Sequence, residues 1–154
     1  MKILKLVTWL ELKILALRRA AIRGQLRYCG RQFQSFGRFE IVCPEKLEIG
    51  DNFSINHGAY VNARGGVVIG NNVAVSAGAM IISTGLDKSE LSAKVHVDRP
   101  IHIGDSVQIG AGAIILAGVH IGSNVIIGAG SILTKDAQEN SIYCGVPACR
   151  VSGL

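Results

Sequence analysis

An aliphatic residue recurs at every sixth position along most of this chain, and this period restricts the fold more than any other feature. In the second half of the chain the series is Ile103, Ile109, Ile115, Ile121, Ile127 and Leu133. A period of six fits neither the helical turn of about 3.6 residues nor the two-residue alternation of a strand. It does fit a solenoid whose coils are built from short strands and turns. We therefore expect each aliphatic side chain to point inward and to stack on its counterpart in the next coil.

Small residues accompany the repeat. Glycine follows the aliphatic residue at Gly50, Gly70, Gly104, Gly110, Gly122 and Gly128. The fourth residue after the aliphatic is small or branched, as at Ala59, Ala79 and Ala113, and such residues let a coil turn its corner. With 19 Gly but only 4 Phe, 3 Tyr and 1 Trp, the chain suits close backbone stacking better than a large aromatic core. The pattern predicts an all-β solenoid.

The last coils carry a resemblance to a known family. The segment IGDSVQIGAGAIILAGVHIGSNVIIGAGSILTKD, followed by GVPACRV, resembles the left-handed parallel β-helix of hexapeptide-repeat acyltransferases. The nearest branch is the galactoside and maltose O-acetyltransferases, with the related polysaccharide O-acetyltransferases. Over residues 41–151 the resemblance implies a homotrimer, acetyl-CoA as the acyl donor, and a CoA groove between neighbouring subunits. Because γ-class carbonic anhydrases, nucleotidyltransferase tails and assembly proteins share the solenoid, the chemistry must be argued from site residues.

The resemblance carries CoA binding over to five positions: Ala111, Ala129, Thr134, Lys135 and Arg150. Backbone groups along the coils would bond the pantetheine arm, and the two cationic side chains would meet the CoA phosphates. The small residues alone are equally explained by coil stacking. The LTKD and GVPACR motifs are the stronger indication, because an apolar solenoid core needs neither cation.

The catalytic base is missing from its usual place. Transfer of an acyl group to a hydroxyl needs a base that is active near neutral pH, and imidazole fits that requirement. In the galactoside branch this histidine directly follows a Thr-Gly pair in a loop that interrupts the solenoid. The corresponding interruption is predicted at about 84–100, and the residue after its Thr-Gly pair is Leu86.

Two other histidines are candidates for the base. His96 lies in the same interruption, which is short enough to fold back across the groove. His57 is the second candidate, because its neighbour Asn56 matches the asparagine that contacts the acceptor in the family. Either side chain is also consistent with a solvated surface histidine. His102 and His120 are predicted to be surface residues, since each precedes an inward-pointing isoleucine.

Two further departures concern the acceptor. Gln108 replaces the tryptophan usual in the family, and Arg64 replaces an acidic residue of the galactoside branch. Both positions are expected to shape the acceptor or acetyl pocket. Galactoside is therefore a poor expectation for the substrate, and a different sugar of a lipid-linked or surface glycan is favoured.

The first 38 residues form a basic arm, with nine Lys or Arg residues and one acidic residue, Glu11. Residues 2–27 predict one amphipathic helix, whose aliphatic face would pack on the solenoid, on a neighbouring subunit or on an anionic membrane. The segment has no aromatic platform that would support nucleic-acid binding. It is also not expected to span a membrane, because charged residues interrupt it before about 20 apolar residues accumulate. The β-helix is predicted over 39–154. We expect a cytoplasmic protein, with peripheral contact to the inner membrane face as an option.

These observations predict a CoA-dependent O-acetyltransferase acting on a sugar hydroxyl in cell-envelope polysaccharide or glycan biosynthesis. The alternative is a non-catalytic scaffold or assembly protein that retained the solenoid and lost the usual histidine. A γ-class carbonic anhydrase is a third reading, but the four histidines show no three-ligand zinc arrangement. We expect no metal.

Overall fold

The computed structural model describes residues 2–154, without the side chains of Lys2, Ile3 and Leu91. The chain begins with helix α1 (Lys2–Arg23) and continues as a left-handed β-helix of about six turns. Two short 3-10 helices, Pro44–Lys46 and Leu91–Ala93, interrupt the coils. The predicted fold class, a β-solenoid with an N-terminal helix, is confirmed.

Three sheets form the flat faces of the coils, and their strands stack in parallel except at one edge. Sheet I contains β1 (Tyr28–Cys29), β4 (Leu47–Ile49), β7 (Val67–Ile69), β12 (Ile101–Ile103) and β15 (His120–Ile121). Sheet II contains β2 (Gln34–Phe36), β5 (Ser54–Asn56), β8 (Ala74–Val75), β13 (Gln108–Ile109), β16 (Val125–Ile127) and β18 (Ser141–Gly145), with β19 (Ala148–Gly153) antiparallel at its edge. Sheet III contains β3 (Glu40–Val42), β6 (Tyr60–Asn62), β9 (Met80–Ile82), β14 (Ile114–Ile115) and β17 (Ile132–Leu133). The remaining strands, β10 (Thr84–Leu86) and β11 (His96–Asp98), form a separate antiparallel hairpin.

The core is the interior of the coils. Ile109 pairs with Val75 on one side and Ile127 on the other, so the three side chains stack in register. All six members of the aliphatic series from Ile103 to Leu133 are buried, as the period of six predicts. Burial of each such side chain removes apolar surface from water. Because the stack repeats from coil to coil, this burial is the dominant favourable contribution to the free energy of folding.

The corner between sheets I and II is polar and follows a second repeat. Asn52, Asn72 and Asn124 adopt positive φ angles there, a conformation that asparagine tolerates better than most residues. The Asn52 amide donates to Asn72 Oδ1 at 3.0 Å, in the next coil. The corner therefore turns with its side-chain polar groups bonded from coil to coil.

The open end of the first coil is closed by aromatic side chains and the end of α1. Phe33 packs against Phe53 and Phe39, with ring centroids 5.5 and 6.0 Å apart. Ile22 and Leu26 are half-buried against the same cluster. Repeat proteins need such a cap, because the terminal coil has no neighbour to cover its apolar interior.

The boundary between arm and solenoid differs from the predicted one. Helix α1 ends at Arg23 and not at 27, and the solenoid starts with β1 and β2, before residue 39. These strands were not predicted, because their segment is rich in basic residues, like the helix before it. Arg27 and Arg31 lie outside the first coil, where they pair with Glu48 at 3.3 Å and Asp51 at 2.8 Å, respectively. Charged side chains can occupy the outer surface of a coil as readily as a helix face.

Candidate functional site

The interruption of the repeat is a β-hairpin at the corner between sheets III and I. Residues Thr84 and Leu86 pair across it with Asp98 and His96. The hydrogen bonds from Asp87 N to Val95 O and from Arg99 N to Ser83 O alternate with these pairs. Leu86 and His96 therefore form a non-hydrogen-bonded pair, in which side chains lie on one face and approach most closely. Both side chains are exposed.

The base of the hairpin is tied to the preceding coil. Ser83 is fully buried, and its hydroxyl donates to Asn62 O at 2.7 Å while accepting from Gly65 N at 2.8 Å. Arg64 Nε lies 3.4 Å from Asp98 Oδ2 and connects the coil to the second hairpin strand. These contacts limit the orientations in which the hairpin can leave the solenoid. Arg64, noted as a departure from the galactoside branch, thus has a defined position beside the hairpin.

One buried hydroxyl of the hairpin has no protein partner. Within the described part of the chain, Thr84 Oγ1 is inaccessible to solvent and makes no hydrogen bond. Because buried hydroxyls are nearly always satisfied, this unpartnered hydroxyl is an exception within the described fold. Thr84 belongs to the same hairpin face as Leu86 and His96.

The tip of the hairpin is organised by an acidic turn. Asp87 accepts hydrogen bonds from the Ser89 hydroxyl at 2.6 Å and from the Ser89 backbone N–H at 2.8 Å. These donors lower the pKa of the Asp87 carboxyl below its ordinary value, the side-chain bond being the larger cause. The turn between the two strands is therefore ordered best when Asp87 is ionised.

The corner between sheets II and III carries a column of small residues below His57. The in-register pairing of β5, β8, β13 and β16 stacks His57, Ala77, Ala111 and Ala129 above one another. Gly112 and Gly130 follow the two lower alanines, and a Cβ added at either would meet nothing within 4 Å. This corner is therefore a low ridge that leaves room along its outer side for a narrow chain such as pantetheine.

Asn56 and His57 lie at the upper end of this ridge. The Asn56 amide donates to Val75 O of the next coil at 3.2 Å, which holds its orientation. His57 is exposed and lines a cavity of about 230 Å³ between the solenoid and α1. Arg18 and Arg38 also line this cavity, a role that the sequence analysis missed. No local motif signals it, because Arg18, Arg38 and His57 are each about 20 residues apart along the chain. They come together only because the first two coils stack and α1 docks beside them.

The remaining predicted CoA residues lie elsewhere. Thr134 and Lys135 follow β17, so they are at the corner between sheets III and I, as the hairpin is. Both side chains are exposed. Arg150 lies on β19 at the edge of sheet II, where its Nε donates to the buried Ser141 hydroxyl at 2.8 Å. The guanidinium is thus oriented by the fold while the residue stays exposed.

A single chain divides the predicted site residues between two corners. Asn56, His57, Ala111 and Ala129 belong to the corner between sheets II and III, whereas the hairpin, Thr134 and Lys135 belong to the corner between sheets III and I. Sheet III separates the two sets. A site that uses both sets would have to combine corners from two copies of the chain.

The other two histidines lie away from both sets. His102 and His120 pair on the outer face of sheet I, with ring centroids 6.0 Å apart, and both are exposed as predicted. Across residues 2–154, apart from the three side chains left undescribed, no three or more His, Cys, Asp or Glu side chains are grouped to hold a metal ion.

Known proteins share this architecture. The family profile described as "Bacterial transferase hexapeptide (six repeats)" matches residues 100–135. A Saccharomyces cerevisiae protein provisionally assigned as an acetyltransferase is 39% identical over 132 residues, covering 84% of this chain and 67% of that protein. A galactoside acetyltransferase in complex with coenzyme A gives a TM-score of 0.83 at 29% identity, covering 90% of this chain and 70% of that chain. A Vibrio cholerae hexapeptide-repeat acetyltransferase complexed with acetyl coenzyme A gives 0.82 at 26% identity, covering 90% and 77%.

The similarity extends over most of this chain but over a smaller part of several relatives. The chain spans 55%, 67% and 64% of the lengths of relatives from Dictyostelium discoideum, Saccharomyces cerevisiae and Rhizobium meliloti. The two solved structures named above hold CoA or acetyl-CoA, in agreement with the predicted donor class. The combination of identity, coverage and fold confirms the predicted family: this chain belongs to the hexapeptide-repeat acetyltransferases.

Proposed function

We propose that this protein is a CoA-dependent O-acetyltransferase that moves an acetyl group to a sugar hydroxyl, in a cell-envelope polysaccharide or a related glycan. His96 is the proposed general base and Asn56 the proposed acceptor contact. Membership of the acetyltransferase family and the CoA bound to related structures support the donor. The position of His96 on the hairpin carries the assignment of the base.

The supporting observation is the cross-strand pair of Leu86 and His96. In a non-hydrogen-bonded antiparallel pair, the Cβ atoms of opposite residues are about 4.5–5.5 Å apart. An imidazole at His96 can therefore reach the space above Leu86, where the galactoside branch places its histidine. The base would have moved across the hairpin without leaving its face.

The proposed reaction moves one proton in two transfers, both through His96. His96 takes the proton of the acceptor hydroxyl as the hydroxyl oxygen attacks the thioester carbonyl. The new C–O ester bond forms, the C–S bond breaks, and His96 returns the proton to the leaving CoA sulfur. Lys135 and Arg150 would bind phosphate, and the ridge of Ala111 and Ala129 would position the pantetheine arm. Acetyl-CoA supplies the activated acetyl group.

A homotrimer with its sites between subunits follows from the same proposal. The hairpin with Lys135 and the ridge with Asn56 lie at different corners of one chain. A heterologous contact, in which one corner of each copy meets the other corner of its neighbour, brings the two sets together and closes into a ring. Sedimentation at several protein concentrations should then give three times the chain mass.

The first test is hydrolysis-corrected CoA release from acetyl-CoA over a panel of free and nucleotide-linked sugars. We expect acceptor-dependent release that falls about 10²–10⁴-fold in His96→Ala, the usual contribution of a general base, while CoA affinity is retained. His57→Ala is the matched control. Loss of turnover in His57→Ala alone would transfer the base to His57. CoA binding with no release on any acceptor would favour the scaffold alternative.

The second test asks whether the site is shared. Ala129→Trp should block the ridge and His96→Ala should remove the base, so each variant alone is inactive. In mixed trimers, about a quarter of the sites would join an intact hairpin to an intact neighbouring ridge and recover activity. If mixing restores nothing although mixed oligomers form, the site belongs to one subunit and the shared-site proposal fails.

A further inference from the structure

Helix α1 presents two different apolar faces. Leu15 and Ile22 are half-buried against the first coil and its cap. A second set, here called the outer stripe, is between 45% and 71% exposed and consists of Leu6, Val7, Leu10, Ile14 and Leu17. At about 100° per residue, Leu10 and Leu15 point about 140° apart around the helix. Leu6, Leu10 and Leu17 are therefore directed away from the face that docks α1 on the solenoid. Ile14 lies at the edge of the stripe, where it lines the cavity between α1 and the first coils.

The outer stripe is bordered by cationic and aromatic side chains. The described part of α1 carries Lys5, Lys13, Arg18, Arg19 and Arg23 against one acidic residue, Glu11. Among the ion pairs of the described residues, none involves α1. Trp9 is 53% exposed, and the Lys13 ammonium lies 5.6 Å from its ring centroid. Trp with Lys or Arg beside an apolar stripe is the pattern of helices that lie in a lipid headgroup region.

We propose that α1 binds the surface of an anionic lipid bilayer through the outer stripe. The apolar side chains would enter the boundary between headgroups and acyl chains, and the cations would meet the anionic headgroups. The helix would lie along the surface, since no helix in residues 2–154 is long and apolar enough to cross a bilayer. Its docking through Leu15 and Ile22 would hold the solenoid beside the membrane.

A second copy of α1 fits the outer stripe less well. In a parallel coiled coil built on Val7, Leu10, Ile14 and Leu17, Lys13 of one helix would face Arg18 of the other across the seam. These like charges repel. The stripe is also about 100° wide, because it includes Leu6, and this exceeds the narrow seam of a coiled coil. Charge complementarity therefore favours anionic lipid over a second copy.

Vesicle cosedimentation of the full-length protein tests the proposal. We expect binding to phosphatidylcholine vesicles that contain phosphatidylglycerol, little binding to phosphatidylcholine alone, and weakening at high salt. The double variant Leu10→Gln/Leu17→Gln should lower the partition coefficient by about tenfold or more, since it removes much of the apolar stripe. Lys13→Gln should lower it about fivefold through lost attraction to anionic lipid.

Leu12→Gln is the matched control. Leu12 is 62% exposed on the same helix but lies on the basic side, outside the stripe, so its substitution should leave vesicle binding unchanged. Absence of wild-type binding to anionic vesicles at low salt would overturn the proposal. A fall in molecular mass by light scattering in Leu10→Gln/Leu17→Gln would also overturn it, in favour of a second copy. Acetyl transfer to a soluble acceptor should not change in any of these variants, so this test is independent of the proposed reaction.

Discussion

The uninterrupted coils and the hairpin of residues 84–98 are stabilised in opposite ways. A central coil strand such as β13 is paired on both sides, and its inward residue Ile109 is fully buried. The hairpin is paired only with itself, most of its described side chains are exposed, and its attachments lie at its base. Repetition therefore makes a rigid scaffold, whereas the departure from repetition can carry polar side chains into a groove.

The largest expected effect is in the coils. Ile109→Ala should lower the free energy of unfolding by about 3 kcal/mol, because it opens a cavity in a close-packed stack. Urea denaturation followed by circular dichroism measures this loss. Val68→Ala is the control: Val68 lies on the outer face of sheet I, is 39% exposed, and should cost less than about 1 kcal/mol. Equal losses for the two variants would contradict the inward stacking of the repeat.

The hairpin should tolerate movement of the base across its face. In the inactive His96→Ala background, we expect Leu86→His to regain at least about tenfold in kcat/KM, or about 1.4 kcal/mol of transition-state stabilisation. The physical reason is that the two residues share one face in a close cross-strand pair. The control places the histidine at Val95, which is on the opposite face, and should restore nothing. Equal recovery by Val95→His would show that the hairpin face does not matter.

The ion pair at the base of the hairpin should affect activity more than stability. Arg64 and Asp98 are more than a third exposed, so breaking their contact should change the free energy of unfolding by less than about 1 kcal/mol. We expect Arg64→Gln and Asp98→Asn each to lower kcat/KM about three- to tenfold, with little further loss in the double variant. Arg31→Gln, which breaks an exposed ion pair at the corner between sheets I and II, should leave kcat/KM unchanged. A similar loss in Arg31→Gln would argue against a specific role for the hairpin base.

The smallest expected effect is a loss of order at the tip of the hairpin when the pH is lowered. The pKa of the Asp87 carboxyl is lower in the folded protein than in the unfolded chain. The ionised carboxylate therefore orders the turn fully above the unfolded pKa of about 4, and this effect is lost as the pH falls through the folded pKa. NMR protection of the Ser89 amide should therefore fall on acidification, while the core amides of β13 stay protected. Asp87→Asn should remove this pH dependence. Unchanged Ser89 protection across the same range in the wild type would show that the carboxylate does not organise the turn.

The contrast between the regular coils and the segments outside the repeat also explains which features could be predicted from the sequence. The inward isoleucines, the exposed His102 and His120, and the place of the interruption all follow from counting in sixes. The extent of α1 and the start of the solenoid did not follow. Arg27 and Arg31 continue the basic composition of the helix into the first coil. Their role became visible only in their ion pairs with Glu48 and Asp51 of the next coil.

The assembly of the candidate site was less predictable than the coils. The family motifs identified Ala111, Ala129, Thr134 and Lys135 as candidates for CoA binding. They did not show that the two alanines lie at one corner of the coil and Thr134 and Lys135 at another. Arg18 and Arg38 were not recognised as neighbours of His57. Stacking of the first two coils places Arg38 beside His57, and docking of α1 on these coils adds Arg18. Proximity in a solenoid depends on coil register, and register is a property of the stacked backbone and not of any one motif.

By itself, the sequence determined the solenoid, because the same burial requirement recurs at every sixth residue and each coil repeats the solution of its neighbour. Composition and periodicity also determined an amphipathic basic helix at the start of the chain. Only the tertiary structure decided which histidine lies opposite Leu86, since the turn and the antiparallel pairing of the hairpin together set its register. It also decided which face of α1 docks on the first coil and which remains exposed, because both faces are apolar and contact with the coil distinguishes them.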